Sequence, residues 1–237
     1  MSVKTIAAWA VHLFTASGLL AGFCGLLAAI EGDYRLAMFW MLLTLIIDGV
    51  DGTFARWLKV KEVLPGVSGK TIDYVIDFFT YAILPAYLFY VAIPLGPIPQ
   101  MVGVGAILLS SALYYGIEDM VSEDGTHFVG FPVLWNVVLY IYIFLLPAWP
   151  GSLLLGLTLL IAILHFIPIR VPYPSRGGRF FVLTLVFTLL FISSAFINVW
   201  YFPNPHQLGK WLGFLAIAYF ILLTILDTAA AWQKHES

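Results

Sequence analysis

Long apolar segments, separated by short polar junctions, constrain this chain more than any other feature of its sequence. Of its 237 residues, 62% are hydrophobic and only 10% are charged. Soluble domains carry about 25% charged residues, so a large soluble core does not explain this pattern. A membrane-spanning helix needs about 20 consecutive apolar residues. The sequence therefore predicts an all-α fold, a polytopic integral membrane bundle with about eight transmembrane helices.

Proline, glycine and clusters of charge mark the boundaries between these segments. The predicted spans are 7–30, 35–57, 71–94, 99–117, 129–148, 150–169, 180–202 and 211–232. Neither a soluble domain nor a long linker is left between them. We therefore predict a single transmembrane domain over 1–237.

Lysine and arginine residues fall mainly on one side of this topology. With both termini inside, nine of the 11 lie at inner junctions and only Arg35 and Lys210 lie outside. Cytoplasmic segments of membrane proteins carry the excess of these residues. The bias places the stretch 48–77 at the cytoplasmic ends of the second and third predicted spans.

Four aspartates lie in that stretch: Asp48, Asp51, Asp73 and Asp77. Each would cost about 2.5 to 3.5 kcal/mol at the centre of a membrane helix, so a cation must offset them. Spacings of three and four residues put each pair on one helix face, and the two faces can converge across a helical hairpin. Oxygen ligands suit Mg²⁺, Mn²⁺ and Ca²⁺, and the pattern predicts a site for a pair of such ions.

Small residues and an arginine share the face of the first aspartate pair. Gly52 and Ala55 leave room for a flat group, and Arg56 offers a fork of donors suited to phosphate. The alternative is that Gly52, Ala55 and Gly69 only allow helices to pack closely.

These residues resemble the signature of the CDP-alcohol phosphotransferase family, D-x2-D-G-x2-A-R, a spacer, then G-x3-D-x3-D. All eight fixed positions are present: Asp48, Asp51, Gly52, Ala55, Arg56, Gly69, Asp73 and Asp77. The twelve-residue spacer, 57–68, is longer than is usual in the family, and Gly49 is a further departure. Both departures, and the number of spans, resemble the bacterial branch that joins CDP-diacylglycerol to free choline.

The resemblance implies a phosphatidyl transfer from CDP-diacylglycerol to the choline hydroxyl, with release of CMP. It assigns the four aspartates to two Mn²⁺ or Mg²⁺ ions and makes Asp77 the base as well. It assigns Gly52, Ala55, Arg56 and Gly69 to the nucleotide. By the same resemblance, we expect a bacterial inner-membrane enzyme that works at the cytoplasmic face, forms a homodimer and has membrane lipids but no nucleic acid among its partners.

A choline site needs aromatic faces and a nearby carboxylate, because a quaternary ammonium has no N–H and therefore donates no hydrogen bond. The junction after the fourth predicted span offers both. The predicted choline-binding residues are Tyr115, Glu118, Asp119, Trp135 and Asn136. The alternatives are that the aromatic residues pack at the membrane interface and that the two acids lie in a solvated loop.

Two competing functions follow from the same residues. Another acceptor, such as serine, inositol phosphate or glycerol phosphate, would keep the reaction, but an anionic acceptor calls for a basic pocket and this junction is acidic and aromatic. A cation-coupled transporter would also place carboxylates in the membrane. Transporters tend to repeat broken helices around a midplane site, and the aspartate pattern has no counterpart in the second half of this chain.

Three arginines, Arg170, Arg176 and Arg179, mark another cytoplasmic junction. They either bind lipid phosphate or serve only to orient the chain in the membrane.

Overall fold

Apolar helices make up most of the computed structural model, which describes residues 2–235. In chain order they are α1 (Val3–Ile30), α2 (Tyr34–Trp57), α3 (Val60–Val63), α4 (Gly69–Ala92), α5 (Pro97–Tyr115), α6 (Trp135–Leu145), α7 (Gly151–Leu164), α8 (Phe181–Trp200) and α9 (Gln207–His235). Within residues 2–235, six of these helices are long and apolar enough to cross a membrane: α1, α2, α4, α5, α8 and α9. The shorter apolar helices α6 and α7 fall within the remaining two predicted spans. The prediction of a polytopic helical membrane protein is confirmed.

Two compact units divide the chain, and the boundary falls after Leu88, inside α4. The first unit contains α1, α2, α3 and most of α4. The second contains the end of α4 and the helices that follow. The assignment of 1–237 to a single domain stays a prediction.

Polar caps fix where the two aspartate-bearing helices begin. The Asp33 carboxylate accepts a hydrogen bond from the backbone N–H of Leu36 at 2.9 Å, at the start of α2. The Ser68 hydroxyl accepts one from Thr71 N–H at 3.2 Å, at the start of α4. Each cap satisfies an amide that a helix start leaves without an intrahelical acceptor.

Glycines on α1 let this helix approach α4 closely. A Cβ atom on Gly18 would lie 3.2 Å from Ile76, and one on Gly22 would lie 2.8 Å from Thr80. Without a hydrophobic driving force in lipid, small residues at such interfaces let van der Waals packing hold helices together. The close approach places the earlier turns of α1 beside the aspartate-bearing segments.

A π-helical segment, Phe78–Ile83, interrupts α4 directly after Asp77. The residues before it, Gly69–Asp77, and after it, Leu84–Ala92, are α-helical. Thr80 and Tyr81, inside the segment, are buried. Such π segments inside α-helices occur frequently at functional sites.

A small antiparallel ribbon takes the place of the first residues of the predicted span 129–148. Strand β1 (His127–Val129) pairs with strand β2 (Arg170–Pro172). Gly130 then turns the chain with a φ of +82°, a left-handed conformation that a helix does not contain. For this reason α6 begins at Trp135, later than predicted.

The predicted span 150–169 also ends earlier than expected, because α7 stops at Leu164. Pro168 follows and has no N–H to continue a helix. The carbonyl of Ile169 instead accepts a hydrogen bond from Gly130 N–H at 2.9 Å. This segment therefore leads into the ribbon.

Hydrogen bonds between side chains join three helices of the second unit. The hydroxyls of Tyr140 on α6 and Ser194 on α8 lie 2.8 Å apart. Asn198 Nδ2 donates to the Tyr140 hydroxyl at 3.0 Å, and Ser194 donates to the Gly209 carbonyl on α9 at 2.7 Å. These hydroxyls and the Asn198 amide nitrogen thus find partners within the protein, as the scarcity of water inside a membrane bundle favours.

The packing of Gly103 predicts a difference between two glycines of α5. Gly103 lies directly against the ring of Phe89, whereas nothing lies within 4 Å of the Cβ position of Gly105. We expect Gly103→Ala to destabilise the protein by about 1 to 3 kcal/mol through overpacking. Thermal unfolding in detergent measures this. Gly105→Ala is the matched control and should leave the midpoint unchanged or raise it, because alanine favours a helix. Equal midpoints for the two variants would contradict the close contact.

Candidate active site

Three of the predicted carboxylates meet in the first unit. Asp48 comes from α2, and Asp73 and Asp77 come from α4 one helical turn apart. One carboxylate oxygen of each lies within 4.8 Å of the others. Oxygen donors at this separation suit a hard divalent cation such as Mg²⁺ or Mn²⁺. We call Asp48, Asp73 and Asp77 the carboxylate cluster.

Asp51 lies outside that cluster of three. It is buried, and the Thr15 hydroxyl and the Gly52 backbone N–H lie within hydrogen-bonding reach of its carboxylate. Thr15 comes from the turn of α1 that precedes Gly18. The assignment of Asp51 as a fourth metal ligand stays a prediction.

A tyrosine that the sequence analysis did not single out holds one member of the cluster. The Tyr81 hydroxyl donates a hydrogen bond to Asp48 Oδ2 at 2.8 Å. Its position could have been found from the sequence, because Tyr81 extends the four-residue spacing of Gly69, Asp73 and Asp77 along α4.

The predicted nucleotide-binding residues lie on the same two helices. The Arg56 side chain is exposed and donates to the Thr53 hydroxyl at 3.1 Å. A Cβ atom on Gly52 would lie 3.3 Å from Arg56 Nη1, so the guanidinium passes close over this glycine. Ala55 is half-buried on α2. The arrangement leaves the arginine available to an anion, and its nucleotide role stays a prediction.

His12 faces Gly69, the remaining predicted nucleotide residue. A Cβ atom on Gly69 would lie 3.4 Å from His12 Cε1. His12 is buried, and its Nε2 has no hydrogen-bond partner among the residues that the structure describes. The three-residue spacing of His12 and Thr15 on α1 is the sequence signal for this polar face.

The predicted choline-binding residues belong to the second unit and differ in exposure. Glu118 and Asp119 are exposed after the end of α5, beside the half-buried Tyr115. Trp135 is fully buried, and its indole N–H donates to the Ser111 hydroxyl at 2.9 Å. Asn136 is also buried and accepts a hydrogen bond from Val137 N–H. None of these positions tests a choline role.

Asp124 has a structural role in the same loop. Its carboxylate accepts hydrogen bonds from the Ser122 hydroxyl at 2.7 Å and from the Thr126 backbone and hydroxyl at 3.0 and 2.8 Å. These bonds favour the ionised form and hold the pKa of Asp124 well below its usual range. The loop's other acids, Glu118, Asp119 and Glu123, lie exposed.

Proteins that are similar to this chain over most of its length are phosphatidylcholine synthases. The chain is 36% identical to a phosphatidylcholine synthase of Pseudomonas aeruginosa over 95% of its own length and 93% of that protein's. It is 34% identical to that of Borreliella burgdorferi over 96% and 97%, respectively. It is 38% identical to that of Rhizobium meliloti over 84% and 82%. No protein-family model matches the chain.

A helical membrane fold with the aspartate signature on two neighbouring spans defines the class of the CDP-alcohol phosphotransferases. Within that class, the similarity to phosphatidylcholine synthases extends over nearly the whole chain. The chain belongs to the phosphatidylcholine synthase family.

The carboxylate cluster predicts that metal binding depends on Asp73. We expect Asp73→Asn to weaken Mn²⁺ binding at least tenfold, because it removes one negative charge from a small group of donors and replaces a carboxylate oxygen with an amide nitrogen that does not bind the cation. Electron paramagnetic resonance of free Mn²⁺ in a titration measures this. Asp33→Asn is the matched control: it changes another carboxylate near the first unit's helices but keeps a residue suited to the cap. Equal affinities for the two variants would exclude the cluster as the metal site.

Proposed function

We propose that this protein is a CDP-diacylglycerol–choline O-phosphatidyltransferase. It transfers the phosphatidyl group of CDP-diacylglycerol to choline and forms phosphatidylcholine and CMP. The observation that carries the proposal is the carboxylate cluster on two membrane helices, in a chain similar over most of its length to phosphatidylcholine synthases. Carboxylates suited to a hard cation, with an exposed arginine on the same helix as Asp48, suit a substrate that carries two phosphates.

The reaction is a displacement at phosphorus. The choline hydroxyl oxygen forms a bond to the phosphorus that carries diacylglycerol, and the bond from that phosphorus to the oxygen of CMP breaks. Asp77 accepts the hydroxyl proton as general base. Arg56 binds the phosphates through its exposed guanidinium, and Gly52, Ala55 and Gly69 leave space for the nucleotide.

Metal chemistry has a defined place in this proposal. Asp48, Asp51, Asp73 and Asp77 would hold a pair of Mn²⁺ or Mg²⁺ ions, and the clustered oxygens of Asp48, Asp73 and Asp77 support metal binding by those three. Bound there, such ions would supply positive charge to the attacking and leaving oxygens of a phosphoryl transfer. The remaining contribution of the protein is to position the hydroxyl, the phosphates and the base.

The acceptor site in this proposal lies at Tyr115, Glu118, Asp119, Trp135 and Asn136. The exposed carboxylates of Glu118 and Asp119 would attract the choline ammonium, and Tyr115 would offer it an aromatic face. The buried Trp135 and Asn136 would hold the rest of the site in shape, since both already form hydrogen bonds in the second unit.

The proposed setting is the bacterial inner membrane, with the carboxylate cluster toward the cytoplasm. The excess of lysine and arginine at the junctions on that side supports this orientation. A homodimer in a lipid environment, without a nucleic acid partner, and one catalytic domain over 1–237 complete the proposal.

The identity of the acceptor alcohol distinguishes this function from phosphatidyl transfer to serine, inositol phosphate or glycerol phosphate. Purified protein in detergent is incubated with CDP-diacylglycerol, Mn²⁺ and labelled choline, serine, inositol phosphate or glycerol phosphate in parallel. We expect CMP release and label in phosphatidylcholine with choline alone, and loss of both with a chelator. Label in another lipid would support phosphatidyl transfer but exclude choline as the acceptor. Absence of CMP release with every acceptor would exclude the proposed transferase activity and favour an ion transporter.

The two roles of Asp77 predict a difference between it and Asp48. We expect Asp77→Asn to lower the transfer rate by about 10² to 10⁴-fold, the usual contribution of a general base. It should preserve CDP-diacylglycerol binding better than Asp48→Asn does, because Asp48 acts in this proposal as a metal ligand alone, whereas Asp77 is also the base, a role that substrate binding does not require. Calorimetric binding in Mn²⁺, beside the transfer rate, measures both effects. Equal losses of binding in the two variants would remove the distinct role of Asp77.

The proposed acceptor acids predict a specific kinetic change. We expect Glu118→Gln and Asp119→Asn to raise the KM for choline severalfold with little change in the KM for CDP-diacylglycerol, because only the cationic substrate loses an attraction. Glu123→Gln, at an exposed acid of the same loop, is the matched control. A choline KM that stays at the wild-type value in both test variants would rule out these two acids as part of the site.

A further inference from the structure

We infer that Tyr81 is the positioning residue of the carboxylate cluster: it holds Asp48 in the orientation that metal binding requires. The inference rests on the proposed function, which assigns metal ions to this cluster. It concerns a residue outside the family signature, and it gives the hydrogen bond between Tyr81 and Asp48 a role in the reaction.

The contact is buried and joins two helices. Tyr81 on α4 is only 3% exposed, and its hydroxyl lies 2.8 Å from Asp48 Oδ2 on α2. The two residues are 33 positions apart in the sequence, so the bond is a tertiary contact rather than a local turn. It ties the helix that supplies one ligand to the helix that supplies the other two.

The location of Tyr81 along α4 connects it to the other ligands. It lies four residues after Asp77, which itself lies four residues after Asp73. The π-helical segment begins at Phe78, between Asp77 and Tyr81, and closes with the Leu84 N–H donating to the Phe79 carbonyl. The wider π turn therefore sets the angle at which the Tyr81 ring leaves the helix, directly beside the ligand face.

A neutral donor suits this task better than a charged one. A lysine or arginine at this place would cancel part of the negative charge that attracts the cation, whereas a tyrosine hydroxyl fixes the carboxylate and leaves its charge in place. With Oδ2 held, the Asp48 carboxylate cannot rotate freely, and the direction of its Oδ1 is set as well. Less conformational freedom is then lost when an ion binds.

Partners of this kind orient metal ligands in many proteins, and their removal typically weakens metal affinity or activity by about 10 to 100-fold. Tyr81→Phe removes only the hydroxyl oxygen and keeps the buried ring. We therefore expect the variant to fold, to lose only the stability that one hydrogen bond supplies, and to bind Mn²⁺ at least about tenfold more weakly. Its transfer rate should fall at low Mn²⁺ and return to near the wild-type rate at saturating Mn²⁺.

The test measures Mn²⁺ affinity by electron paramagnetic resonance on purified protein without substrate, and then CMP release over a range of Mn²⁺ concentrations. Tyr90→Phe is the matched control, because Tyr90 lies on the same helix but is exposed. A purely structural role would lower the unfolding midpoint in chelator and leave the Mn²⁺ affinity at the wild-type value. A direct role in the chemistry would leave the rate low at saturating Mn²⁺.

Equal Mn²⁺ affinities for wild type and Tyr81→Phe would overturn the inference, and so would a wild-type protein that does not bind Mn²⁺. A rate that stays low at saturating Mn²⁺ would also overturn it. The proposed function fails separately, if wild-type protein binds Mn²⁺ but forms no phosphatidylcholine. In that case the ratio of the Mn²⁺ affinities still decides the role of Tyr81.

Discussion

Mutual repulsion of carboxylates inside apolar helices is the constraint on which the first unit depends. Two unit charges about 4 Å apart interact by about 4 kcal/mol at an effective dielectric constant of about 20, and Asp48, Asp73 and Asp77 offer oxygens within 4.8 Å of one another. Three contacts hold the helices and the carboxylates in this arrangement. They are the cap at Ser68, the close approach of α1 to α4 at Gly22, and the hydrogen bond from the Tyr81 hydroxyl to Asp48. Each fixes a helix or a side chain at a place where a cation can then neutralise the charge.

The second unit differs from the first because its spans contain hardly any charge. From 125 to 226 the sequence has no aspartate or glutamate. Three of its buried polar side chains, Tyr140, Ser194 and Asn198, are neutral and form hydrogen bonds with one another. Carboxylates suited to a metal are therefore concentrated in the first unit, while those of the α5–α6 loop lie at an exposed surface.

The spans and the aspartate positions could be predicted because both depend on local sequence. A run of about 20 apolar residues has few stable alternatives in a membrane, and spacings of three and four fix a helix face. The ribbon between β1 and β2 could not be predicted in this way. Its strands are three residues long, lie in apolar or proline-rich sequence and pair across a separation of about forty residues. Gly130, directly after β1, packs against the backbone carbonyl of His165. This is a tertiary contact, which the local sequence does not predict.

The partners of the two aspartates on α2 lie on opposite sides of them in the sequence. Thr15, beside Asp51, precedes α2, whereas Tyr81, beside Asp48, follows it. Synthesis proceeds from the N-terminus, so α1 already carries Thr15 when α2 leaves the ribosome. The partner of Asp51 is therefore made before Asp51 itself, whereas the partner of Asp48 is made 33 residues after it. The order of translation therefore makes the docking of α4 the step that completes the first unit during biogenesis.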